Sequence, residues 1–330
     1  QFADERRTKI EEEIEEIKIN LEVTVPQEDV IVTVTRDGYV KRTSLRSYGA
    51  SNPEDIGMKE SDRLLAKLEM STTDTLLLFT NKGNYLYVPV HMLPDIRWKD
   101  LGQHIANLAA LDKNETLIQA IPVENFDSNQ FLVFLTKNGL IKKSELTLYQ
   151  AQRTSKPLTA LKLKENDELV HVALTNDEDE VIIVTKNGYA LRYQVSEVNP
   201  VGLRTMGVKA IDFKEENDEI ADVAMISEQT ANEQLVILTQ RGAMKKLPSE
   251  QLKQSKRGRR GTLIIKEIKT NPHQVIACKK INETNHIHVQ TENTVLTFAY
   301  EQIRDGNVSD NGPIAIQTKK HGSIIDVWVE

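Results

Sequence analysis

The stretch VIIVTKNGYALRY, residues 181–193, holds two apolar runs separated by a Thr-x-x-Gly turn. Short runs rich in β-branched and apolar residues, bounded by turn residues, are typical of β-strands. Asn187 and Gly188 supply the positive φ that a tight hairpin requires. The stretch therefore predicts a β-hairpin.

The same pattern occurs six times along the 330 residues. The other copies are IVTVTRDGYVKR (31–42), LLLFTNKGNYLYV (76–88), FLVFLTKNGLIKK (131–143), LVILTQRGAMKK (235–246) and IHVQTENTVLTF (287–298). The six turn positions, 45 to 56 residues apart, are Gly38, Gly83, Gly139, Gly188, Gly242 and Thr294. In the sixth copy, where threonine replaces glycine, we expect Asn293 to supply the left-handed conformation.

A second marker keeps the same register. It lies 18 or 19 residues beyond each turn, at Gly57, Gly102, Pro157, Gly207, Gly261 and Gly312. Two independent markers in phase six times indicate a repeat of about four strands per unit, and a period of this length is typical of propellers. The predicted fold class is therefore all-β, a six-bladed β-propeller.

Helix is predicted only at the start of the chain. Residues 3–16, ADERRTKIEEEIEE, are densely charged and place Ile10, Ile14 and Ile17 at helical spacing. We expect residues 1–16 to be the end of a longer helix and residues 17–330 to form the six-repeat domain.

The composition excludes several classes of protein. The formal net charge of −7 argues against a uniformly basic nucleic-acid binder. The single cysteine, Cys278, excludes an intramolecular disulfide and fits the reducing cytoplasm. No apolar run approaches 18 residues, so no transmembrane segment is predicted.

Charge follows the repeat. Carboxylates gather between the repeats, whereas one set of cations follows the turn glycines and a second precedes the downstream marker. The first set is Lys41, Arg42, Lys142, Lys143, Arg192, Lys245 and Lys246. The second set is Arg46, Arg97, Lys99, Arg153, Lys156, Arg204, Lys256, Arg257, Arg259 and Arg260. Because equivalent positions of a propeller lie on one ring, the pattern predicts a basic rim and an acidic face.

This basic rim is interpreted as a track for a polyanion. Any one lysine is also consistent with an ordinary solvated strand residue, but the periodic set favours phosphate contacts. Lys and Arg beside glycines that admit a close backbone approach suit phosphates, and little in the sequence suggests base reading. The predicted ligand is a polyanion that is contacted through its phosphates, with both sets of cations as the binding residues.

The turns and the cationic loop together resemble a known family. The repeats are similar to the C-terminal β-pinwheel of the A subunits of bacterial type IIA topoisomerases. TRDGYVKRTSL at 35–45 closely matches the first blade of that family, and ADERRTKI at 3–10 resembles the helix that leaves its DNA breakage-reunion domain. The resemblance covers the whole chain and is weaker in the second and sixth repeats.

One motif separates two branches of that family. Gyrase A subunits carry a Gln-Arg-Arg-Gly-Gly-Lys-Gly box in the loop of the first blade, which wraps DNA with fixed handedness. Here the corresponding place, around Tyr48-Gly49-Ala50, has no such box. The nearest match is SKRGRRG, Ser255 to Gly261, in the fifth repeat, where Ser255 and Arg259 depart from the box. A decayed, displaced box is similar to what the topoisomerase IV branch shows, so we expect phosphate binding without gyrase-like wrapping.

The resemblance implies a DNA-binding and DNA-bending domain with no catalytic residues and no metal ligands of its own. The whole enzyme would use ATP and Mg²⁺ to relax and decatenate DNA during chromosome segregation, with its nucleophilic tyrosine upstream of Gln1. The implied partners are double-stranded DNA, with both sets of cations as DNA-binding residues, the upstream breakage-reunion domain and the ATPase-bearing B chain of an A₂B₂ holoenzyme. The implied location is cytoplasmic and nucleoid-associated, with a peripheral place at the inner face of the cell membrane left open.

Two other classes of function remain as alternatives. A protein-interaction propeller of the WD40 type would carry apolar and aromatic residues on one rim, and its Trp-Asp signature is missing. A propeller hydrolase would need convergent carboxylates or metal ligands near the central channel. His286 and His288 alternate along one strand, but no third ligand lies at a useful spacing. Trp98, between Arg97 and Lys99, fits either a DNA contact or an aromatic packed under a loop.

Overall fold

A computed structural model describes residues 25–227 and 233–330. The predicted helix over residues 1–16 lies outside these ranges. Six antiparallel sheets, which we call blades one to six in chain order, surround a central axis. The prediction of an all-β, six-bladed propeller is confirmed.

Each repeat supplies three neighbouring strands to its blade. In blades one to three these are β1 (Asp29–Thr35), β2 (Tyr39–Ser44), β3 (Leu64–Ser71), β4 (Thr75–Thr80), β5 (Asn84–Pro89), β7 (Leu117–Val123), β8 (Phe131–Thr136), β9 (Leu140–Glu145) and β11 (Leu169–Thr175). In blades four to six they are β12 (Glu180–Thr185), β13 (Tyr189–Gln194), β15 (Ile220–Ile226), β16 (Gln234–Thr239), β17 (Met244–Pro248), β19 (Val275–Ile281), β20 (His286–Thr291), β21 (Val295–Ala299) and β22 (Ile324–Val329).

The fourth strand of blades one to four comes from the following repeat. These exchanged strands are β6 (Gln103–His104), β10 (Leu158–Thr159), β14 (Val208–Lys209) and β18 (Thr262–Leu263). They pair with β2, β5, β9 and β13 respectively, at the edge far from the central axis. In blade five a single bridge between Ala243 and Ile314 takes the same place. Repeats two to six therefore each complete the blade before them.

Helices in the described part of the chain are short. The two α-helices are α1 (Leu45–Gly49) and α2 (Thr318–His321). The 3₁₀ turns are Pro53–Asp55, Val90–Met92, Ile105–Asn107, Leu146–Tyr149, Val195–Glu197, Ser249–Gln251 and Tyr300–Gln302. No helix within these residues has the length and apolar character needed to cross a membrane.

The first four Thr-x-x-Gly turns have one construction. The amide of Gly38 donates to the Thr35 carbonyl at 3.0 Å, and the buried Thr35 hydroxyl accepts from the Tyr39 amide at 3.0 Å. Gly38 has φ +92°, whereas the residue before it keeps a negative φ, as in a type I turn closed by a glycine bulge. The expectation that Asn293 adopts positive φ in the sixth turn is wrong; there the Thr291 hydroxyl accepts from the Thr294 amide at 3.2 Å.

The second sequence marker lies where the chain crosses onto the preceding blade. Gly102 immediately precedes β6, and a Cβ there would lie 2.9 Å from the Val40 carbonyl oxygen of β2. This distance is too short for any side chain, so the marker reports a close approach of two backbones.

Carboxylates between the repeats hold the turns in place. Asp167 and Asp218 are buried, and one oxygen of each accepts from the amide of the residue before the turn glycine, Asn138 at 2.9 Å and Asn187 at 3.0 Å. Asp62 binds the Asp37 amide in the same way at 3.0 Å. Part of the periodic acid signal is therefore structural and does not belong to an acidic face.

Replacing Gly83 by alanine is expected to destabilise the propeller. Gly83 has φ +77°, and a Cβ there would lie 2.6 Å from the Leu161 carbonyl oxygen. Left-handed backbone alone costs a non-glycine residue about 1–2 kcal/mol, so we expect a loss of at least about 2 kcal/mol in the free energy of unfolding. Gly202→Ala is the control, because a Cβ at Gly202 meets nothing within 4 Å. The measurement is denaturant unfolding of both variants, and equal midpoints for Gly83→Ala and Gly202→Ala would contradict this account.

The core consists of five apolar clusters, each between consecutive blades from the pair one–two to the pair five–six. Blades six and one instead meet through polar groups. Arg36 donates to Gln290 at 3.0 Å and to Asp326 at 3.1 Å, and Arg63 also pairs with Asp326. Burial raises the pKa of Asp326, but the two guanidiniums outweigh it and hold the pKa below its usual value. Beside this junction lies a cleft of about 710 Å³ lined in part by Trp328.

Candidate nucleic-acid interface

Five loops on the outer edge of the disc carry most of the second set of cations. Each precedes the segment that crosses onto the preceding blade, and we call them rim loops one to five: residues 93–102, 150–157, 198–207, 252–261 and 303–312. Backbone hydrogen bonds join neighbouring loops to the crossing segments. Lys162 donates to the Thr205 carbonyl at 3.1 Å, and Asp212 donates to the Arg259 carbonyl at 2.9 Å. Rim loops two, three and four therefore form one continuous surface.

The first set of predicted DNA-binding residues does not lie on that surface. The structure buries Lys41, Lys142, Lys143, Lys245 and Lys246, each exposing 5% or less of its area. The expectation that these lysines form a basic rim is wrong. They lie on strands β2, β9 and β17. A blade inside a propeller is covered on both faces by its neighbours, so both alternating sides of such a strand are buried.

Two of these lysines serve as internal donors to the rim loops. Lys41 Nζ donates to the carbonyls of Arg97, Trp98 and Asp100 at 2.6–3.2 Å. Lys245 Nζ donates to the carbonyls of Ile264, Asn307 and Asp310 at 2.5–2.6 Å. Burial lowers the pKa of each lysine to about 8, against a smaller opposing effect of the nearby Asp100 or Asp310. These ammonium groups hold rim loops one and five against the disc.

The remaining members of the first set are also paired with groups inside the disc or partly buried. Lys142 donates to the Ala160 carbonyl at 2.6 Å, and Lys143 pairs with Asp177 at 2.5 Å. Lys246 lies 3.7 Å from the ring centre of Tyr300 and 3.5 Å from Asp305. Arg192 pairs with Glu180, and Arg42 is half-buried with its Nε shielded from solvent. We therefore leave the whole first set out of the candidate interface.

The second set is exposed, except that Arg257 is half-buried. In rim loop two, Arg153 and Lys156 have no hydrogen-bond or ion-pair partner within the described chain, and rim loop three exposes Arg204 in a left-handed conformation with φ +59°. Neither loop contains an acidic residue. Solvated cations without counterions are the groups that a phosphate backbone can reach.

Rim loop four, which contains SKRGRRG, is the most cationic of the five. Its backbone is held by two hydrogen bonds. The Ser255 amide donates to the Arg192 carbonyl at 2.8 Å, and the Gly258 amide donates to the Ala210 carbonyl at 3.0 Å. The Arg259 side chain is exposed and has no partner in the described residues, whereas the Arg260 guanidinium lies 3.3 Å from Asp212. The loop backbone is thus fixed while its charges face solvent.

One acid, Glu197, lies beside Lys256 and Arg257 of this loop. Lys256 is 3.4 Å from Glu197, and the Arg257 amide donates to the same carboxylate at 2.7 Å. The Arg257 guanidinium also donates to the Lys209 carbonyl at 2.6 Å. Exposed ion pairs of this kind contribute about 0–1 kcal/mol, so a phosphate can compete with Glu197 for Lys256.

Rim loop one is electrically balanced. Arg97 pairs with Asp100 at 2.8 Å, and Lys99 pairs with Asp55 at 3.3 Å. Trp98 between them is buried and packs edge-on against Tyr48, so it lies under the loop and offers no exposed aromatic surface. The place where gyrase carries its box is the short helix α1, on which Arg46 is exposed.

One exposed cation of rim loop four was not predicted from the sequence. Lys253 lies in rim loop four and has no partner among the described residues. Its position two residues before Ser255, in the same loop between two strands, was the available signal. The pair His286 and His288 does not form a site with a third ligand; His288 stacks on Trp328 with ring centres 5.3 Å apart. Across residues 25–227 and 233–330, no three His, Cys, Asp or Glu side chains are grouped to hold a metal ion.

Comparison with known proteins agrees with the geometry. The family model described as DNA gyrase C-terminal domain, beta-propeller, matches residues 29–53, 74–124, 130–176, 179–227 and 233–282. The A subunit of DNA topoisomerase 4 from Bacillus subtilis (strain 168) is 48% identical over 328 residues, and that from Staphylococcus aureus (strain MRSA252) is 41% identical over 329. These matches cover 99% of this chain but only 40–41% of the relatives, so the chain spans about two fifths of their length.

Solved structures give the same result. A crystal structure of the C-terminal domain of DNA topoisomerase IV superposes with a TM-score of 0.87 at 49% identity, covering 92% of this chain and 94% of that one. A gyrase A C-terminal domain superposes with a TM-score of 0.66 at 20% identity, covering 91% of this chain and 99% of that one, and shows the shared fold alone. The chain therefore belongs to the DNA gyrase C-terminal β-propeller family, in the branch formed by the C-terminal domains of the topoisomerase IV A subunits.

Proposed function

We propose that this chain is a non-catalytic domain that binds and bends double-stranded DNA along its rim. The observation that carries the proposal is the continuous surface of rim loops two, three and four, where exposed lysines and arginines meet no acid within the loops themselves. The contacts would be to phosphates, because these side chains lie on loops at the outer edge of the disc, and within residues 25–227 and 233–330 no helix exceeds five residues, too short to read a groove.

In the whole enzyme this domain would present DNA segments to a type II topoisomerase during relaxation, decatenation and chromosome segregation. The breakage-reunion domain, the ATPase-bearing B chain of an A₂B₂ complex, ATP and Mg²⁺ would supply the chemistry. We expect the described chain alone to neither hydrolyse ATP nor cleave DNA. Its place would be in the cytoplasm, at the nucleoid.

Binding to DNA is expected to depend steeply on salt. About seven phosphate contacts predict a slope of about −6 in log K against log salt, and a loss of ~10³–10⁴ in affinity between 50 and 200 mM salt. Bending a 20–30 bp duplex by 40–90° costs on the order of 1–6 kcal/mol, so affinity should rise with duplex length as more rim is contacted. A salt titration with unrelated duplexes of two lengths measures both effects.

The same titration discriminates between the candidate functions. A shallow slope, with equal affinity for short and long duplexes, would favour a protein-interaction propeller. Strong preference for one sequence would also contradict the proposal, because phosphate contacts carry no sequence information.

A further inference from the structure

The five rim loops differ in charge in a regular way. Rim loops two and four carry two and five cations and no acid, and rim loop three carries one cation and no acid. Rim loop one carries two cations and two acids, and rim loop five carries Arg304 against Asp305 and Asp310. The cationic surface is therefore bounded on both sides by loops that contain carboxylates.

The residue beneath each loop accounts for much of this difference. Three residues after the turn glycine, blades one, three and five place a lysine, whereas blades two and four place Leu86 and Leu191. In blades one and five the buried ammonium binds loop carbonyls, and the loop carboxylates lie close to buried lysines; Asp305 is 3.5 Å from Lys246 Nζ. Where leucine lies beneath the loop, this buried ammonium is missing, and the loop carries cations without any acid of its own.

We infer that bound DNA is held at two main points, rim loops two and four, passes over rim loop three, and leaves the rim before rim loop five. This inference rests on the proposed function and specifies its site. Rim loop five is poorly suited to phosphate, because its carbonyls are bound by Lys245 and its exposed Asp305 repels an anion. We therefore expect the strongest DNA contacts at blade four. This blade lies far from the first blade, in which gyrase A subunits carry their box.

A matched set of serines tests the path. Ser155, Ser255 and Ser309 are all exposed and lie in rim loops two, four and five. The only cysteine, Cys278, is buried, and burial raises the pKa of its thiol, so it should not compete for label. Each serine is replaced in turn (Ser155→Cys, Ser255→Cys, Ser309→Cys) in the 330-residue chain and coupled to a short photoactivatable cross-linker. The labelled chains are then irradiated with a duplex at 50 mM salt, a concentration at which phosphate contacts are strong.

We expect efficient cross-linking from the positions in rim loops two and four, and about tenfold less from rim loop five. DNA that contacts the cations of rim loops two and four is held away from the carboxylates of rim loop five. Equal cross-linking from Ser309→Cys would overturn the inferred path. If the chains bind the duplex but none of the three positions gives a cross-link, the inferred path is also overturned, because the DNA then binds elsewhere on the disc. If the unlabelled parent chain does not bind the duplex, the proposed function is rejected, and the inferred path with it.

Discussion

Replacing Lys256, Arg257, Arg259 and Arg260 together by alanine is expected to lower affinity for DNA on the order of 10³-fold near 0.1 M salt. The salt slope should also flatten by roughly 0.9 for every phosphate that the variant no longer neutralises, and the four substitutions remove three to four such charges from the interface. The fold should survive, because the backbone of rim loop four is held by the amides of Ser255 and Gly258, which the substitutions leave in place. The measurement is a salt series on mutant and parent with one duplex.

The control removes the same charge from another part of the surface. Lys82, Lys113, Lys164 and Lys319 are exposed and lie outside the rim loops. Replacing these four by alanine changes the net charge equally but removes no proposed contact, so the slope should stay near that of the parent chain. Equal losses in the two quadruple variants would show that net charge, and not rim loop four, governs binding.

Lys245→Leu is expected to destabilise the fold far more than Lys142→Leu. Leucine fits this position in blades two and four, where it is buried as Leu86 and Leu191. Lys245 is the donor to three carbonyls, and each buried acceptor left unpaired costs about 1–3 kcal/mol, so we expect a loss of about 3 kcal/mol or more. Lys142 serves a single carbonyl. Both variants relieve the burial of a charge, so the number of carbonyls left unpaired makes the difference. The loss of Lys142 should change stability by less than about 1.5 kcal/mol.

The pH dependence of Lys142→Leu provides an independent check. Burial lowers the pKa of Lys142 to about 8, below its usual value of 10.5, so the unfolded chain binds more protons between these two values. Stability of the parent relative to the variant should therefore rise as pH increases from about 8 to 10.5, and should be flat below 8. Denaturant midpoints of the two proteins across this range measure the difference. A gap that does not change with pH would show that burial leaves this lysine unperturbed.

The fold could be predicted because its two decisive signals are local. The hydroxyl of Thr35 and the positive φ of Gly38 close the hairpin within five residues, so the sequence of each turn reports its structure directly. The strand exchange could not be predicted from periodicity, since β6, β10, β14 and β18 are two residues long. The sequence signal of the exchange is limited to the glycines that precede most of these strands. These glycines are needed because a neighbouring backbone lies close, and this contact is visible only in the structure.

The candidate site could be predicted only where cations lie in loops. Arg153, Lys156 and the SKRGRRG loop are exposed as expected, because a loop outside the last strand of a blade has nothing to cover it. The lysines after the turns follow the same period for a different reason. Lys41 and Lys245 are spaced regularly because they repeat a structural role inside the disc, and sequence alone does not distinguish a buried periodic charge from an exposed one.

The strand exchange also sets the order in which the ring can be built during synthesis. Strand β2 ends at Ser44, but its partner β6 begins at Gln103, about 60 residues later. At translation rates of about 5–20 residues per second, the edge of the first blade stays unpaired on the nascent chain for about 3–12 s. A similar delay recurs at blades two to four, so assembly runs from the first blade toward the last. A ribosome that stalls within any repeat leaves a chain whose newest blade has an open edge, the kind of surface on which aggregation begins.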